Sequence, residues 1–309
     1  MPLQVTFSAP AKINLSLDIV GQRPDGYHLL ATVMQSIDLS DRVTLTVLRQ
    51  NEHAEAIRVR STQTDLPRDS RNTAFRAAAL FCDAADLDLR PGTGIGLHID
   101  LEKHIPVAAG LGGGSSDAAA VLLALDALFP GRVTAGERDR LALQVGADVP
   151  FCLHGGTVLC EGIGERLTAL PAWPGLPVLL CAPASPLLTR HVFAAYRENR
   201  CQPGPDTAAV LRAMQTRNLK ALADSTANVL EAVSMFLLPQ LATIKDALLA
   251  CGAEMAQMSG SGPAVFGLFA SEEACREAAD RLRQRLPADV RLFVCRSQTA
   301  GPQQIRDGV

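Results

Sequence analysis

The residues with the clearest chemical content run from Pro106 to Ala120, reading Pro-Val-Ala-Ala-Gly-Leu-Gly-Gly-Gly-Ser-Ser-Asp-Ala-Ala-Ala. Four glycines fall within the five positions from Gly110 to Gly114, Ser115, Ser116 and Asp117 follow, and an apolar run extends from Ala118 to Leu125. That order predicts a loop feeding a helix. Glycine has no Cβ, so its backbone can come close to a ligand, and the unbonded N–H groups and dipole of a helix start favour an anion. A phosphate is the expected guest. The two familiar glycine loops do not fit: a Walker loop needs Gly-Lys where this chain has Ser115 and Ser116 after Gly114, and a dinucleotide fingerprint needs glycine at its sixth position, which counted from Gly110 is Ser115.

Charged and aromatic residues mark further points. Lys12, in Pro10-Ala11-Lys12-Ile13-Asn14-Leu15, opens an alternating stretch with Ile13, Leu15, Leu17 and Ile19 on one face and Asn14, Ser16 and Asp18 on the other. Lys12 and Asn14 therefore point the same way. Solvated surface is the plainer expectation for such a face, and the lining of a cleft is the other. Asp148 lies among apolar residues in Gly146-Ala147-Asp148-Val149-Pro150-Phe151. A carboxylate there is either a helix cap or a buried group that needs a cationic partner. Tyr27 and His28 follow the turn formers Gly21 to Gly26, where an aromatic serves as a binding platform or as a lid on the core, and a histidine beside it is more often structural than catalytic. Lys103 leaves a strand just before the glycine loop, close to whatever the loop binds unless it is simply solvated.

These groups need elements to position them. Period-two patterns predict strands over 5–8, 13–20, 29–37, 41–48, 95–101 and 157–161. Helices are expected from a cap at Asn72 to about 85, over 115–128, and from a Thr134 to Glu137 capping box to Gly146. Three prolines and a glycine within Pro171 to Pro177 read as a linker, dividing the chain into units 1–170 and 171–309. The second unit is expected to hold strands at 178–181, 264–269 and 290–295, and helices near 190–200, 207–214, 217–223, 238–251 and 271–286. Its glycine turn, Met258-Ser259-Gly260-Ser261-Gly262-Pro263, precedes a strand and is expected to let the second unit's backbone approach the first. A polar tail follows Ser297.

Composition bounds the partners. At 309 residues and 48% apolar content the chain can bury substantial cores, and a net charge of −3 supplies no basic field for nucleic acid. The eight cysteines are scattered without a CxxC pair and read as reduced thiols, and the six histidines form no zinc signature, so no structural metal is expected. No apolar run approaches the ~20 residues that cross a bilayer, and the first residues lack a basic segment followed by an apolar one. The expected setting is the cytoplasm, without membrane association.

Taken together, Pro10 to Leu15, Arg23-Pro24-Asp25-Gly26-Tyr27-His28, Pro106 to Ala120, Gly146 to Phe151 and Met258 to Pro263 resemble the GHMP small-molecule kinases, over about residues 8–270. The resemblance implies an α+β fold of two domains, the first like domain 2 of ribosomal protein S5 and the second ferredoxin-like, with ATP and substrate in the cleft between them. It implies Lys12 and Asp148 as the catalytic pair, the aspartate taking a proton from the substrate hydroxyl. It gives the ATP phosphates to Pro106, Val107, Ala108, Ala109, Gly110, Leu111, Gly112, Gly113, Gly114, Ser115 and Ser116, with Lys103 near the nucleotide and Mg2+ facing Ser115 or Ser116. Within the family, the segments around Tyr27 and Asp148 resemble members that phosphorylate a cytidine-diphosphate-linked methylerythritol in non-mevalonate isoprenoid synthesis. Asn14, Tyr27 and His28 would then contact that substrate, and Phe193 would complete an aromatic sandwich on cytosine. A monomer or weak homodimer is expected. The alternatives are a mevalonate, homoserine or sugar kinase, the related diphosphomevalonate decarboxylase, or a catalytically silent nucleotide-binding protein.

Overall fold

The protein is described by a computed structural model covering residues 3–49, 55–90, 94–196 and 203–305. Its first sheet is built on a long antiparallel hairpin, β1 (Leu3–Gln22) and β2 (His28–Arg49), closed by a turn in which Arg23 N donates to Tyr27 O at 2.7 Å. The two strands expected at 29–37 and 41–48 are thus one. They stay continuous through a bulge, where residues 37–39 of β2 stand opposite Ala11 alone, between the pairs Pro10–Ser40 and Lys12–Ser36. A bulge bends a strand without ending its pairing, and here it falls beside Lys12.

The length of β2 lets it serve further neighbours: β4 (Ile95–Glu102) pairs with 42–49 and β5 (Thr157–Gly162) with 30–35. β3 (Ile57–Ser61) runs parallel to β4, and β6 (Arg166–Ala169) closes on β5. One face of this sheet carries α1 (Thr73–Ala84), α2 (Gly113–Leu128), α3 (Ala135–Val145) and α4 (Val149–His154) around a continuous apolar core. α2 is buried along nearly its whole length, and Ala118, Ala119 and Ala120, small and fully buried, let it lie close against its neighbours. The expected caps are in place: Ala74 N donates to Asn72 Oδ1 at 2.9 Å, and Thr134 and Glu137 close a reciprocal capping box.

The second sheet is antiparallel, in the order β10 (Val290–Arg296), β7 (Pro177–Pro183), β9 (Val265–Leu268) and β8 (Met255–Met258). β7 starts at the last proline of the predicted linker. The helices packed with it are α5 (Thr189–Ala195), α6 (Thr207–Thr216), α7 (Leu219–Ser225), α8 (Glu231–Leu237), α9 (Gln240–Ala250) and α10 (Glu272–Arg283). α8 and β8, too short to leave a periodic pattern, were not expected. The part of the expected helix 190–200 beyond Tyr196 lies outside the described residues.

The two sheets are joined by a shared core, in which Ala11, Ile13 and Leu15 of β1 and Val33 and Ile37 of β2 pack with Val178 and Leu180 of β7 and Phe266 of β9. Gln257 Nε2 adds polar contacts across the joint to the carbonyls of Asn14 at 3.1 Å and Leu15 at 3.2 Å. Within the polar tail, β11 (Gln303–Ile305) returns to pair with residues 6–8 of β1 in the first sheet. Among the described residues no single helix is long and apolar enough to cross a membrane. The cysteines given there are free and buried, with burial pushing Cys82, Cys160 and Cys181 up to about 12. Such thiols are inert at neutral pH.

Candidate active site

A cavity of about 400 Å³ lies where the two units meet. Its walls include Lys12, Asn14 and Thr32 from the hairpin, Asp148, Lys103, every residue from Pro106 to Ser115, and Thr189, Phe193, Gly260 and Ser261 from the second unit. Lys12 and Asn14 therefore line a cleft, against the plainer expectation of solvated surface. Alternation reports that a strand face is polar, but not what stands opposite it.

The loop passes from the end of β4 into α2, which begins at Gly113, two residues earlier than expected. Ala108, Gly110 and Gly112 all take left-handed backbone conformations, with φ of 54°, 77° and 70°. Two of the glycines have further reasons to lack a side chain. A Cβ on Gly110 would lie 2.1 Å from Ser259 O, and one on Gly112 would lie 3.0 Å from Lys12 Cγ. The loop thus rests on the second unit's glycine turn at one point and on the Lys12 stem at another. Ala264 N donates to Ala109 O at 3.1 Å, Ser259 Oγ to Gly110 O at 2.9 Å, and Lys12 N to Leu111 O at 3.0 Å. The predicted approach of the two units' backbones takes this form.

Lys12 Nζ, its side chain 5% exposed, stands 3.4 Å from Asp148 Oδ2 and donates to Asn14 Oδ1 at 2.7 Å. Lysine can only donate, so that contact fixes the orientation of the Asn14 amide. Asn14 Nδ2 then donates to Thr32 Oγ1 at 2.8 Å, and the Thr32 hydroxyl donates to Ser16 O at 2.6 Å. Both polar atoms of Asn14 are thereby engaged within the protein. Asp148 is the residue before α4 but makes no side-chain cap bond, which leaves its carboxylate for Lys12. It is also 34% exposed, so the fully buried carboxylate envisaged from its apolar neighbours is corrected. Those neighbours, Val149, Pro150 and Phe151, turn inward, while Asp148 sits on the cavity wall.

Lys103 is held differently from a lysine that reaches for a ligand. Its ammonium contacts Asp41 and Asp117, and all three side chains are 5% exposed or less. Burial presses the ammonium toward its neutral form, but Asp117 and Asp41 outweigh it and hold Lys103 above its ordinary value. Burial pushes the Asp117 carboxyl up to about 7 against the pull of Lys103. Sequence reasoning gave no role to Asp41, Asp117 or Thr32. Asp117 carried the one available signal, an acidic residue entering an otherwise apolar helix. Ser115 lines the cavity, whereas Ser116 is fully buried and its Oγ has no hydrogen-bond partner among the described residues.

Phe193 on α5, which lines the same cavity, packs against His28, ring centroids 5.3 Å apart, with Tyr196 edge-on to His28 at 6.0 Å. Tyr27 is not brought to this wall and stands 64% exposed on the turn before β2. The chemistry on offer is an anion-binding backbone loop, a cation–carboxylate pair beside it, and the aromatic ring of Phe193 within one cleft. Among the described residues no group of three or more His, Cys, Asp or Glu side chains gathers to hold a metal by itself.

The chain matches the family models for the GHMP kinases N-terminal domain over residues 72–156 and the GHMP kinases C-terminal region over 210–288. It is 38% identical over 290 residues to a 4-diphosphocytidyl-2-C-methyl-D-erythritol kinase of Caldicellulosiruptor saccharolyticus, spanning 94% of this chain and 97% of the relative. A Clostridium botulinum protein of the same name is 39% identical over 277 residues, 90% of this chain and 95% of its own length. Among solved structures, a 4-(cytidine 5'-diphospho)-2C-methyl-D-erythritol kinase superposes with a TM-score of 0.78 at 36% identity, covering 96% of this chain and 100% of its own. A homoserine kinase from Cytophaga hutchinsonii reaches a TM-score of 0.76 at 21% identity, over 98% of this chain and 97% of its own, a likeness of fold alone.

Proposed function

We propose, from the premise that the chain belongs to the GHMP kinase family and has its two-domain α+β fold, that it transfers the γ-phosphoryl of ATP to the 2-hydroxyl of 4-diphosphocytidyl-2-C-methyl-D-erythritol. The step belongs to non-mevalonate isoprenoid biosynthesis. The observation that carries the reading is the Lys12–Asp148 pair beside the glycine loop on the wall of one cavity, 3.4 Å between ammonium and carboxylate. Asp148 accepts the hydroxyl proton as the substrate oxygen bonds to the γ-phosphorus, the bond to the β-phosphate oxygen breaks, and ADP leaves. Lys12 orients the carboxylate and offsets the charge that develops on the transferring group. Phosphoryl transfer rests mainly on positioning and charge neutralisation, so a backbone cradle at 106–115 serves in place of a Walker lysine.

Magnesium, which favours oxygen ligands and arrives with nucleotide phosphates, would be met by the cavity-facing hydroxyl of Ser115. It would neutralise phosphate charge. Of the two candidate serines, the exposure of Ser115 to the cavity favours it over Ser116. The phosphate loop and Phe193 line one cavity, which suits a substrate bearing both a cytosine and a reacting alcohol. The enzyme is read as a cytoplasmic monomer or weak homodimer, acting on small molecules without nucleic-acid or membrane partners, with units 1–170 and 171–309.

The deciding experiment is ADP release by the purified chain with ATP and Mg2+, offering the cytidyl alcohol, mevalonate, homoserine and galactose in parallel. Turnover with the cytidyl alcohol alone is expected; turnover with another acceptor overturns the substrate, and silence with all four overturns the reaction. A second result concerns the aromatic ring. Phe193→Ala is expected to raise KM for the cytidyl alcohol by about tenfold, within the ~1–3 kcal/mol of a stacked base, while KM for ATP changes little. A parallel rise in both constants counts against a cytosine platform.

A further inference from the structure

The glycine loop is held at one residue, Ala108, in a conformation that its own sequence does not favour. Ala108 has a left-handed backbone that costs an L-residue about 1–2 kcal/mol, and Gly110 and Gly112 follow in the same region. Such a conformation persists only where its surroundings over-determine it. The second unit fixes the middle of the loop through Ala109 and Gly110. Its two ends converge on one buried cluster. Before the loop, the backbone N–H groups of His104 and Ile105 both donate to Asp41 Oδ1, at 2.6 and 2.8 Å. After it, Asp117 lies in the opening turns of α2. Between them, the Lys103 ammonium joins Asp41 Oδ2 to Asp117 Oδ2, while Lys103 N is itself fixed by Thr62 Oγ1 at 2.9 Å.

The geometry assigns Asp41, Lys103 and Asp117 the role of positioning residues, a buried ionic clasp that ties the entry of the phosphate loop to the start of α2 and sets the spacing of the backbone groups that meet ATP. This rests on the ATP-dependent reading above and deepens it. Two of the three Lys103 donors are spent on carboxylates, so its principal work is on the loop rather than on the nucleotide. Burying an ammonium with two carboxylates adds little net stability over an apolar filling of the same volume. What the clasp supplies is a single arrangement, since the short ion–dipole and ion–ion contacts admit few alternatives. With Ile105 buried against the same helix start, a Cβ on Gly113 would meet Ile105 at 3.1 Å, so the two ends are closely apposed.

The test uses the whole chain and measures binding of a non-hydrolysable ATP analogue with Mg2+ by calorimetry, without acceptor, beside amide exchange over residues 107–112. Asp117→Asn is expected to weaken the analogue about tenfold, within the coupling range for contacting residues, to speed exchange across the loop, and to leave KM for the cytidyl alcohol within about twofold. Lys103→Met alone should weaken the analogue similarly, but in an Asp41→Asn, Asp117→Asn background it should add less than about twofold. Should Asp117→Asn not fold, Asp41→Asn is read in the same way, because its amide oxygen still accepts from His104 and Ile105. Unchanged analogue affinity and exchange overturn the clasp, as does a full additional loss from Lys103→Met in the doubly substituted background, which would make Lys103 a direct nucleotide ligand. An equal loss for analogue and acceptor overturns it too, as general damage. Failure of the cytidyl alcohol to react overturns the proposed reaction and leaves the clasp to stand or fall on the binding data.

Discussion

Replacing Asp148 by Asn lowers turnover by about 10²-fold or more, the lower end of what a positioned base contributes, with KM for ATP and for the alcohol little changed. The substitution keeps the shape of the side chain and removes its capacity to take a proton. It largely spares the fold, because Asp148 makes no cap bond to α4 and is a third exposed, although the buried Lys12 ammonium loses its counter-charge. Lys12 keeps its hydrogen bond to Asn14, and Asn14 its bond to Thr32, so the ammonium stays in place. The loss should therefore fall on kcat alone, as for a group that acts in the transition state. Steady-state kinetics beside a thermal melt decide the matter. An unshifted melt with collapsed kcat supports the assignment, and turnover within about threefold of the parent removes Asp148 from the role of base.

Gly110→Ala is the second large effect, and it acts on the joint between the units. An added Cβ would lie 2.1 Å from Ser259 O and 3.2 Å from Gly262 N, with the backbone at φ 77°. Both obstructing atoms are backbone, so no side chain can swing aside. The left-handed penalty and the overpacking together give an expected destabilisation of about 2–5 kcal/mol, read as a lower urea midpoint at unchanged slope. Weaker ATP binding should accompany it as the loop lifts from the second unit's turn. Gly131→Ala is the control, since Gly131 has the same φ of 77° with no atom within 4 Å of a built Cβ. It is expected to cost only the conformational part, about 1–2 kcal/mol. Equal losses at the two positions would mean that the contact with Ser259 carries no weight.

Much of the site was legible in the sequence because its parts are local. A glycine run that ends at a helix start, a lysine opening an alternating strand and an acid among apolar residues at a helix end are each written in a few consecutive residues. The caps at Asn72 and Thr134 are legible for the same reason, since each depends on residue types and not on distant partners. What those parts do for one another was not legible. The hairpin's alternation marked Lys12 and Asn14 as a polar pair, but only the approach of the glycine loop at Gly112 and of the second unit's turn at Gly260 made that face a cleft wall. The continuity of β2 through residues 37–39 depends on pairing with β1 and on the contacts that residues 296 and 297 make with Asp38 and Ile37.

The sequence by itself therefore determined the chemical groups and the local elements that carry them, because residue type, spacing and period act over one or two turns of chain. Tertiary structure supplied three pairings, the first of which the sequence offered only through family resemblance: Asp148 meets Lys12 across 136 positions of sequence, a tail strand returns to β1, and Lys103 is spent on Asp41 and Asp117. Each is a pairing between groups far apart in sequence, settled by which buried charges and unpaired strand edges must find partners once water is excluded, and no local pattern encodes that choice.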